Sequence, residues 1–485
     1  MHLRNDAVNI WRAGVAAVDP QSLVRNHLRD HLRDQIASAD RLRVVGAGKA
    51  AAAMARGVLD ALHQWDLGDT VNVDGWVNVP DDCVDGVCDA GGIRTFGGRP
   101  AGENLPTDAA ARGTREIMRM VGEAGPDTLV LVLVSGGGSA LLCDPAGGIA
   151  MNAYRDLCRD LSAAGWDIQA INSVRAAIDN AKAGGILRSR GGGPMHTLIL
   201  SDILGDSIEH VASGPTIAPS DDTIIRNART SLKKLGSIPT VASSIVERLK
   251  SIASGIGLSS TSPNPNHHIT VLGNNAVAVD GAGVRAEQLG YNHIMHCHRS
   301  SEPSAVQAGE QMASMMVDLY KRSRYLSSAE SLSDPDKKNE TPIENALNHN
   351  NHDAMIIGGE PLVELCDPAI RGRGGRNQHL ILSAYRFLRD VADERFWQHA
   401  VLLSGGTDGE DGPTPAAGAI IDQSVHRNIQ RQDLDPDEFL RRHDAYHFFA
   451  KCDGLLITGP TGTNVCDIRV GLIDQATPRS RPYYQ

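Results

Sequence analysis

The residues of this chain best suited to chemistry stand in short, glycine-rich loops. Lys49 closes the turn Gly46-Ala47-Gly48-Lys49-Ala50-Ala51. Ser135-Gly136-Gly137-Gly138-Ser139 sets two hydroxyls around three glycines, and Ser201-Asp202-Ile203-Leu204-Gly205-Asp206 offers two carboxylates. Arg371-Gly372-Arg373-Gly374-Gly375-Arg376-Asn377-Gln378 is basic. Ser404-Gly405-Gly406-Thr407-Asp408-Gly409-Glu410-Asp411-Gly412 is acidic, and Thr461, Thr463 and Asn464 lie in a last glycine-rich turn. A cation at a helix-opening turn suits a transferring phosphoryl group or a carboxylate. Consecutive glycines let the backbone approach a ligand closely. Asp202 could bind Mg²⁺ or orient a substrate hydroxyl, with helix capping as the plain alternative. Arginine gives bidentate contacts to phosphate or carboxylate. Hard carboxylate oxygens in a tight loop suit Mg²⁺ bridging nucleotide phosphates. Each motif also has a purely structural reading as a turn. As a set they point to a small, phosphorylated, anionic substrate.

Elements that could hold these loops are visible as apolar runs. Arg43–Val45, Thr128–Val134, Thr197–Leu200, Ile269–Leu272, Ala354–Ile357, Ala400–Leu403 and Leu455–Thr458 each run into a glycine or polar turn. Helical stretches separate them: Ala50–His63, Asp108–Glu123 behind Thr107, Val174–Leu187, Ser243–Ile252, Ala276–Leu289, Ala305–Tyr320 and Asn377–Ala392. Alternation of this kind is the α/β signature and predicts mainly parallel sheets flanked by helices. In open sheets of that type ligands bind outside the carboxyl ends of the strands, where these loops lie. Asp6–Val18 reads as an amphipathic helix, apolar at Val8, Trp11, Val15 and Val18. A polar stretch near 255–268 predicts two domains, 1–262 and 263–485, and the Ser, Asp, Lys and Asn of 323–351 predict a solvated insertion.

Composition narrows the classes. The 485 residues carry a net charge of −11, which argues against a general nucleic-acid binder. No run approaches the roughly 20 apolar residues of a membrane span. Eight scattered cysteines without a C-x-x-C pair fit buried thiols better than a disulfide framework. A cytoplasmic protein is expected, with a mitochondrial address as the alternative. No pattern encodes the oligomeric state, and a homodimer stays open. His293–His298 (HIMHCH) has no second cluster to complete a zinc site, so a strand is expected there.

Taken together the motifs resemble one family, the glycerate 2-kinases with a C-terminal MOFRL domain. GAGKAA, SGGGSALL, INSVR with Lys182-Ala183-Gly184-Gly185, and SDILGD with ASGPT carry the resemblance. VLGNN, GGEPLVEL with GRGGRNQ, SGGTDGEDGPTPAAGA and TGPTGTNVCD continue it in family order, from about Asp6 to Leu472. The resemblance implies a Rossmann-like N-terminal domain, a second α/β domain and an active site in the cleft between them. It implies ATP-dependent phosphorylation of D-glycerate on its 2-hydroxyl, with Lys49 and Arg376 as the active-site pair. Asn104-Leu105-Pro106-Thr107-Asp108 stands where many bacterial members carry HPxPD; it and the long insertion look like a eukaryotic branch.

On that reading Ser135, Gly136, Gly137, Gly138 and Ser139 cradle ATP phosphates, helped by Gly405, Gly406, Thr407, Thr461 and Asn464. Asp408 or Asp411 holds Mg²⁺. Lys49 stabilises the moving phosphoryl group. Arg376 clamps a carboxylate or phosphate, and Asp202 accepts the hydroxyl proton. Two other readings remain. Gly46-Ala47-Gly48-Lys49-Ala50-Ala51 fits G-x-G-x-x-G/A and Asp74 lies where a ribose carboxylate could stand, as in an NAD(P)H-dependent hydroxypyruvate reductase. A non-catalytic sensor on the same fold is the third.

Overall fold

The computed structural model describes residues 2–68, 70–166, 168–205, 207–236, 241–256, 266–300, 302–325 and 352–474. Asp206 lies outside them, as does the expected insertion at 323–351 apart from its first three residues, which extend a helix. The chain forms two compact units, Pro20–Gly273 and Met1–Asp19 with Asn274–Gln485. That division departs from 1–262 and 263–485 at both ends. Helix α1 (His2–Ala17) belongs with the C-terminal half, and residues 267–273 complete the first unit's sheet.

In the first unit, six parallel strands carry the helices α2 (Ala51–Gln64) and α3 (Asp108–Gly122). The strands are β1 (Arg41–Ala47), β2 (Asn72–Pro80), β3 (Ile93–Arg99), β4 (Thr128–Val134), β5 (Met195–Leu200) and β6 (His267–Gly273). Their order is β3-β2-β1-β4-β5-β6, the Rossmann order. The progression reverses between β1 and β4, so the loops after these two strands face each other at the topological switch point. Strand β4, Thr-Leu-Val-Leu-Val-Leu-Val, is buried along nearly its whole length, as a parallel strand covered on both faces must be. Thr107 caps α3 by accepting the Ala110 N–H at 3.0 Å. The helix expected over Val174–Leu187 is broken into Ile168–Ile178 and Gly185–Arg188. Ala183 and Gly184 between them have φ of 48° and 81°, a left-handed path that no α-helix follows.

A histidine cluster at the β5–β6 edge makes this unit acid-sensitive. His196 and His268 stack with ring centroids 4.9 Å apart, and His267 Nε2 lies 3.0 Å from Thr197 Oγ1. Burial, reinforced by neighbouring positive charge, pushes His196 and His267 down to about 4. The unfolded chain takes up protons below about 6.5, whereas the folded one resists until about 4. The stabilising effect of the neutral rings is therefore lost as pH falls through that window. The thermal unfolding midpoint should drop across it, and the drop should shrink in His196→Gln.

The second unit carries α1 together with α4 (Asn275–Gln288), α5 (Ala305–Tyr325) and α6 (Arg376–Val391). Its strands are β7 (His293–Cys297), β8 (Ala354–Gly359), β9 (Ala400–Gly406), β10 (Gly418–Ile421), β11 (Leu455–Leu456) and β12 (Asp467–Ile473), in the order β11-β10-β9-β12-β8-β7. Only β7 and β8 pair in parallel. The sheet is mixed rather than mainly parallel, because β12 inserts antiparallel between β8 and β9. Helix α1 packs closely on α4: a Cβ on Gly14 would stand 2.7 Å from both Ala278 O and Ile468 Cδ1. Its buried face is Asp6, Ala7, Ile10, Trp11 and Gly14; of the expected Val8, Trp11, Val15 and Val18, Trp11 and the following Val18 are buried, while Val8 and Val15 are half-buried. Trp11 Nε1 donates to Gly405 O at 3.1 Å, and the Tyr291 hydroxyl donates to Asp6 at 2.9 Å. Among the described residues no helix is long and apolar enough to cross a membrane.

Candidate active site

The first unit gathers its loops at the carboxyl ends of β1, β3, β4 and β5. The two glycine turns are tied together: Lys49 N donates to Gly136 O at 2.9 Å, and Ala50 N donates to Ser135 Oγ at 3.1 Å. Gly137 has φ +75°, a conformation that suits glycine, and the notional Cβ there would stand 3.4 Å from Lys49 Cγ. Lys49 is half-buried against this loop. The Asp202 carboxylate rests on the far side, against Gly136. Lys49, Gly136, Gly137 and Asp202 are thus brought together as expected. Among the described residues the N–H groups of Gly136 and Gly137 have no hydrogen-bond partner, so two donors remain for an anion.

Other side chains of this loop are turned inward. The Ser135 hydroxyl is buried and serves Ala50 N, so it latches the two turns instead of meeting a nucleotide. Ser139 Oγ lies 3.0 Å from Ser213 Oγ, which donates to Asn172 Oδ1 at 3.0 Å. Lys182, fully buried, donates to Ser139 O at 2.7 Å and Leu142 O at 2.8 Å. Burial lowers its pKa, with Asp179 opposing. These contacts fix the far end of the Gly136–Gly138 turn. Ala212 and Ser213, at φ 50° and 62°, store backbone strain beside it.

Asp74 does not stand where a dinucleotide needs it. It is the third residue of β2, in register with Arg43 and remote from the glycine turns at the other end of the strand. Its carboxylate is held by Arg43 at 2.6 Å and Arg41 at 2.7 Å. Burial opposes its charge, but the two arginines hold its pKa below the usual carboxylate value. The feature that favoured a reductase is an ion pair inside the sheet.

In the second unit, β8, β9, β11 and β12 bring the acidic, basic and last glycine loops to one end of the sheet. Arg376, the first residue of α6, is clasped by carboxylates. Its Nε and Nη2 donate to Asp467 at 2.6 and 3.0 Å, and Nη1 donates to Glu360 at 2.6 Å. Burial disfavours the charge, yet Asp467 and Glu360 hold its pKa well above the ordinary value. Instead of standing open as a clamp, Arg376 is a spoke between these two acids.

Asp411 requires correction as a metal ligand. Both its oxygens accept backbone N–H groups opening α6, Asn377 at 3.0 Å and Gln378 at 2.8 Å. Burial pushes it up to about 7 against those bonds. Thr407 is likewise internal: its hydroxyl donates to Cys466 O at 2.7 Å and accepts Val465 N at 2.8 Å. Gly405 is covered by Trp11 and Leu456, which fill the space of any Cβ, so it is no nucleotide contact. Thr461 Oγ1 donates to Thr407 O at 2.5 Å, and Asn464 Oδ1 accepts Cys466 N at 3.3 Å; both are half-buried. Asp408 Oδ1 and Asp467 Oδ1 flank Gly406, at 3.1 and 3.5 Å from its notional Cβ.

The donor chemistry here tests Mg²⁺. Among the described residues no group of three or more His, Cys, Asp or Glu could hold a metal by itself. Mg²⁺ needs only one or two carboxylates when substrate phosphates and water complete its shell. Half-buried Asp408 fits that demand, and Asp411 does not. The HIMHCH stretch is β7, a strand as expected.

Comparison with known proteins places the chain. Residues 6–250 match a family model described as a domain of unknown function, DUF4147, and residues 353–467 match the MOFRL family. A D-glycerate 2-kinase of Thermotoga maritima is 31% identical over 97% of this chain and 98% of its own length. The chain belongs to the glycerate kinase family. A human glycerate kinase is 31% identical over 96% of this chain and 92% of its own length. The crystal structure of a glycerate kinase from Thermotoga maritima superposes with a TM-score of 0.76 at 29% identity, covering 97% of this chain and 99% of that one.

Against this family background, Arg99 lies outside every motif that carried the resemblance, while Glu360, Asp467 and Ser213 lie inside such motifs, their contacts invisible in chain order. Arg99 ends β3 in Gly97-Gly98-Arg99, a glycine-rich strand end like those that were noticed. Glu360 follows Gly358-Gly359 in the same way. Asp467 closes the TGPTGTNVCD motif and opens β12.

Proposed function

We propose that this chain transfers the γ-phosphoryl group of ATP to the 2-hydroxyl of D-glycerate, giving 2-phospho-D-glycerate and ADP. The supporting observation is Lys49 packed against the unpartnered amides of Gly136 and Gly137 at the switch point of a Rossmann-ordered sheet. Phosphoryl transfer is catalysed chiefly by positioning and charge stabilisation, and this loop provides both. Gly136 and Gly137 donate to phosphate oxygens, and the Lys49 ammonium stabilises charge developing on the transferring group. Asp202 accepts the proton of the attacking 2-hydroxyl. Asp408 is the carboxylate for Mg²⁺, which when bound neutralises nucleotide phosphate charge. Arg376 acts through Asp467 and Glu360, keeping that acidic end of the sheet in shape.

The name of the Thermotoga relative specifies the 2-position, and that of the human one specifies none. The test is a product assay with purified protein, Mg·ATP and D-glycerate. Enolase coupling without phosphoglycerate mutase, with phosphorus NMR of the products, should report 2-phosphoglycerate. Formation of 3-phosphoglycerate alone would refute the position, and turnover of hydroxypyruvate with NADH in place of any phosphorylation would refute the reaction.

A further inference from the structure

Three arginines are buried to 6% exposure or less among the described residues: Arg43, Arg99 and Arg469. Buried guanidinium groups are rare unless an anion pairs with them, because desolvation of an isolated charge is costly. Arg43 has Asp74 at 2.6 Å, and Arg469 has Glu302 at 2.7 Å. Arg99 has no carboxylate partner among the described residues. Its Nη1 donates to the neutral carbonyl of Glu103, and its buried Nε has no partner at all. Burial lowers its pKa, and the acids that act on it, Asp81, Asp82 and Glu103, do so only through space.

The direction of the side chain supplies the reason. Arg99 Nη2 stands 3.2 Å from the position a Cβ would take on Gly137, and Lys49 Cγ stands 3.4 Å from the same point. The Arg99 guanidinium and the stem of Lys49 therefore both lie against the turn whose Gly136 and Gly137 amides are unpartnered. An arginine with donors to spare, a neighbouring lysine and two unpartnered N–H groups are the parts an oxyanion receptor needs. Arg376, by contrast, gives three of its N–H groups to Asp467 and Glu360.

We propose that Arg99 is the anion-binding arginine of this enzyme, its guanidinium closing over the Gly136–Gly137 turn onto a substrate oxyanion. The inference rests on the reaction proposed above, which brings two such groups, the carboxylate of the acceptor and a phosphate of the donor. Both present the paired oxygens that a guanidinium fork recognises.

The deciding experiment uses Arg99→Met and Arg99→Lys beside the wild type, with thermal unfolding to show that each is folded. KM for D-glycerate and KM for ATP are measured separately, and binding of inorganic phosphate is followed by calorimetry. Arg99→Met should raise one KM about tenfold or more and leave the other within about twofold. A rise confined to D-glycerate assigns the carboxylate, and one confined to ATP assigns the phosphate. Arg99→Lys, which keeps the charge but loses the fork and tests the idea even if Arg99→Met does not fold, should fall between. Unchanged KM values and unchanged phosphate binding in a folded variant would overturn the assignment, leaving Arg99 as a brace for Glu103. A wild type that binds phosphate through Arg99 but never phosphorylates glycerate would refute the reaction and spare the receptor.

Discussion

Replacing Lys49 by alanine is expected to lower kcat by about 10²–10⁴, or roughly 3–5 kcal/mol of transition-state stabilisation. The scaffold should tolerate the change. Lys49 joins its neighbours through backbone N–H to Gly136 O, a bond alanine retains, and its side chain is only half-buried. Loss of turnover should therefore appear in a protein with a near-normal unfolding midpoint. Because the ammonium serves charge that develops in the transition state, the loss should fall on kcat more than on either KM. Lys49→Arg should recover part of the rate, limited by the bulkier fork beside Arg99. Steady-state kinetics on the purified variants are the check, and a folded Lys49→Ala enzyme turning over at the wild-type rate would remove Lys49 from the mechanism.

Asp467→Asn should be the most damaging change in the second unit. The carboxylate is wholly buried and takes two of the three ion-pair hydrogen bonds of Arg376. Its neutralisation leaves a half-buried guanidinium short of its main counter-charge and turns an amide N–H₂ toward a donor. Breaking a fully buried pair from one side costs roughly 3–5 kcal/mol, and the 34% exposure of Arg376 brings the expected loss down to about 2–3 kcal/mol. Glu360→Gln touches the same arginine from a position 38% exposed and should cost no more than about 1 kcal/mol. Denaturant unfolding of both variants gives the comparison. Equal, small effects would mean that Arg376 is not anchored through Asp467.

The sequence was most legible where strands were buried and uniform. Strands β4, β8 and β9 announce themselves as continuous apolar runs, and β1 and β5 as shorter ones, each leading into a glycine or polar turn. Strands β2 and β12 escaped because Asp74 and Arg469 interrupt the apolar pattern. Their charges are cancelled by Arg43 and Glu302, partners that chain order does not reveal. The same blindness affected the site. The glycine loops were readable as places of close approach, and Lys49, Gly136, Gly137 and Asp202 do meet. Ser135, Thr407 and Asp411 are of the same polar types, yet each spends its hydrogen bonds on the loop beside it. Residue type indicates what a side chain can bind; only packing decides whether it faces a ligand or its own backbone.

Helix α1 is made first and needed last. Its Trp11 bonds to Gly405, 394 residues later. At about 5–20 residues per second, the ribosome needs roughly 20–80 s to supply that partner. Pro20–Gly273 is contiguous and can fold in the meantime. Until α4 is made the apolar face of α1, with Ala7, Ile10 and Trp11, has no partner from its own unit, and the Gly405 partner of Trp11 comes later still. Nascent-chain chaperones would meet this helix well before its own sheet does. A lesion in Met1–Asp19 is accordingly a lesion of the unit built from Asn274 onward, felt only once that part of the chain folds.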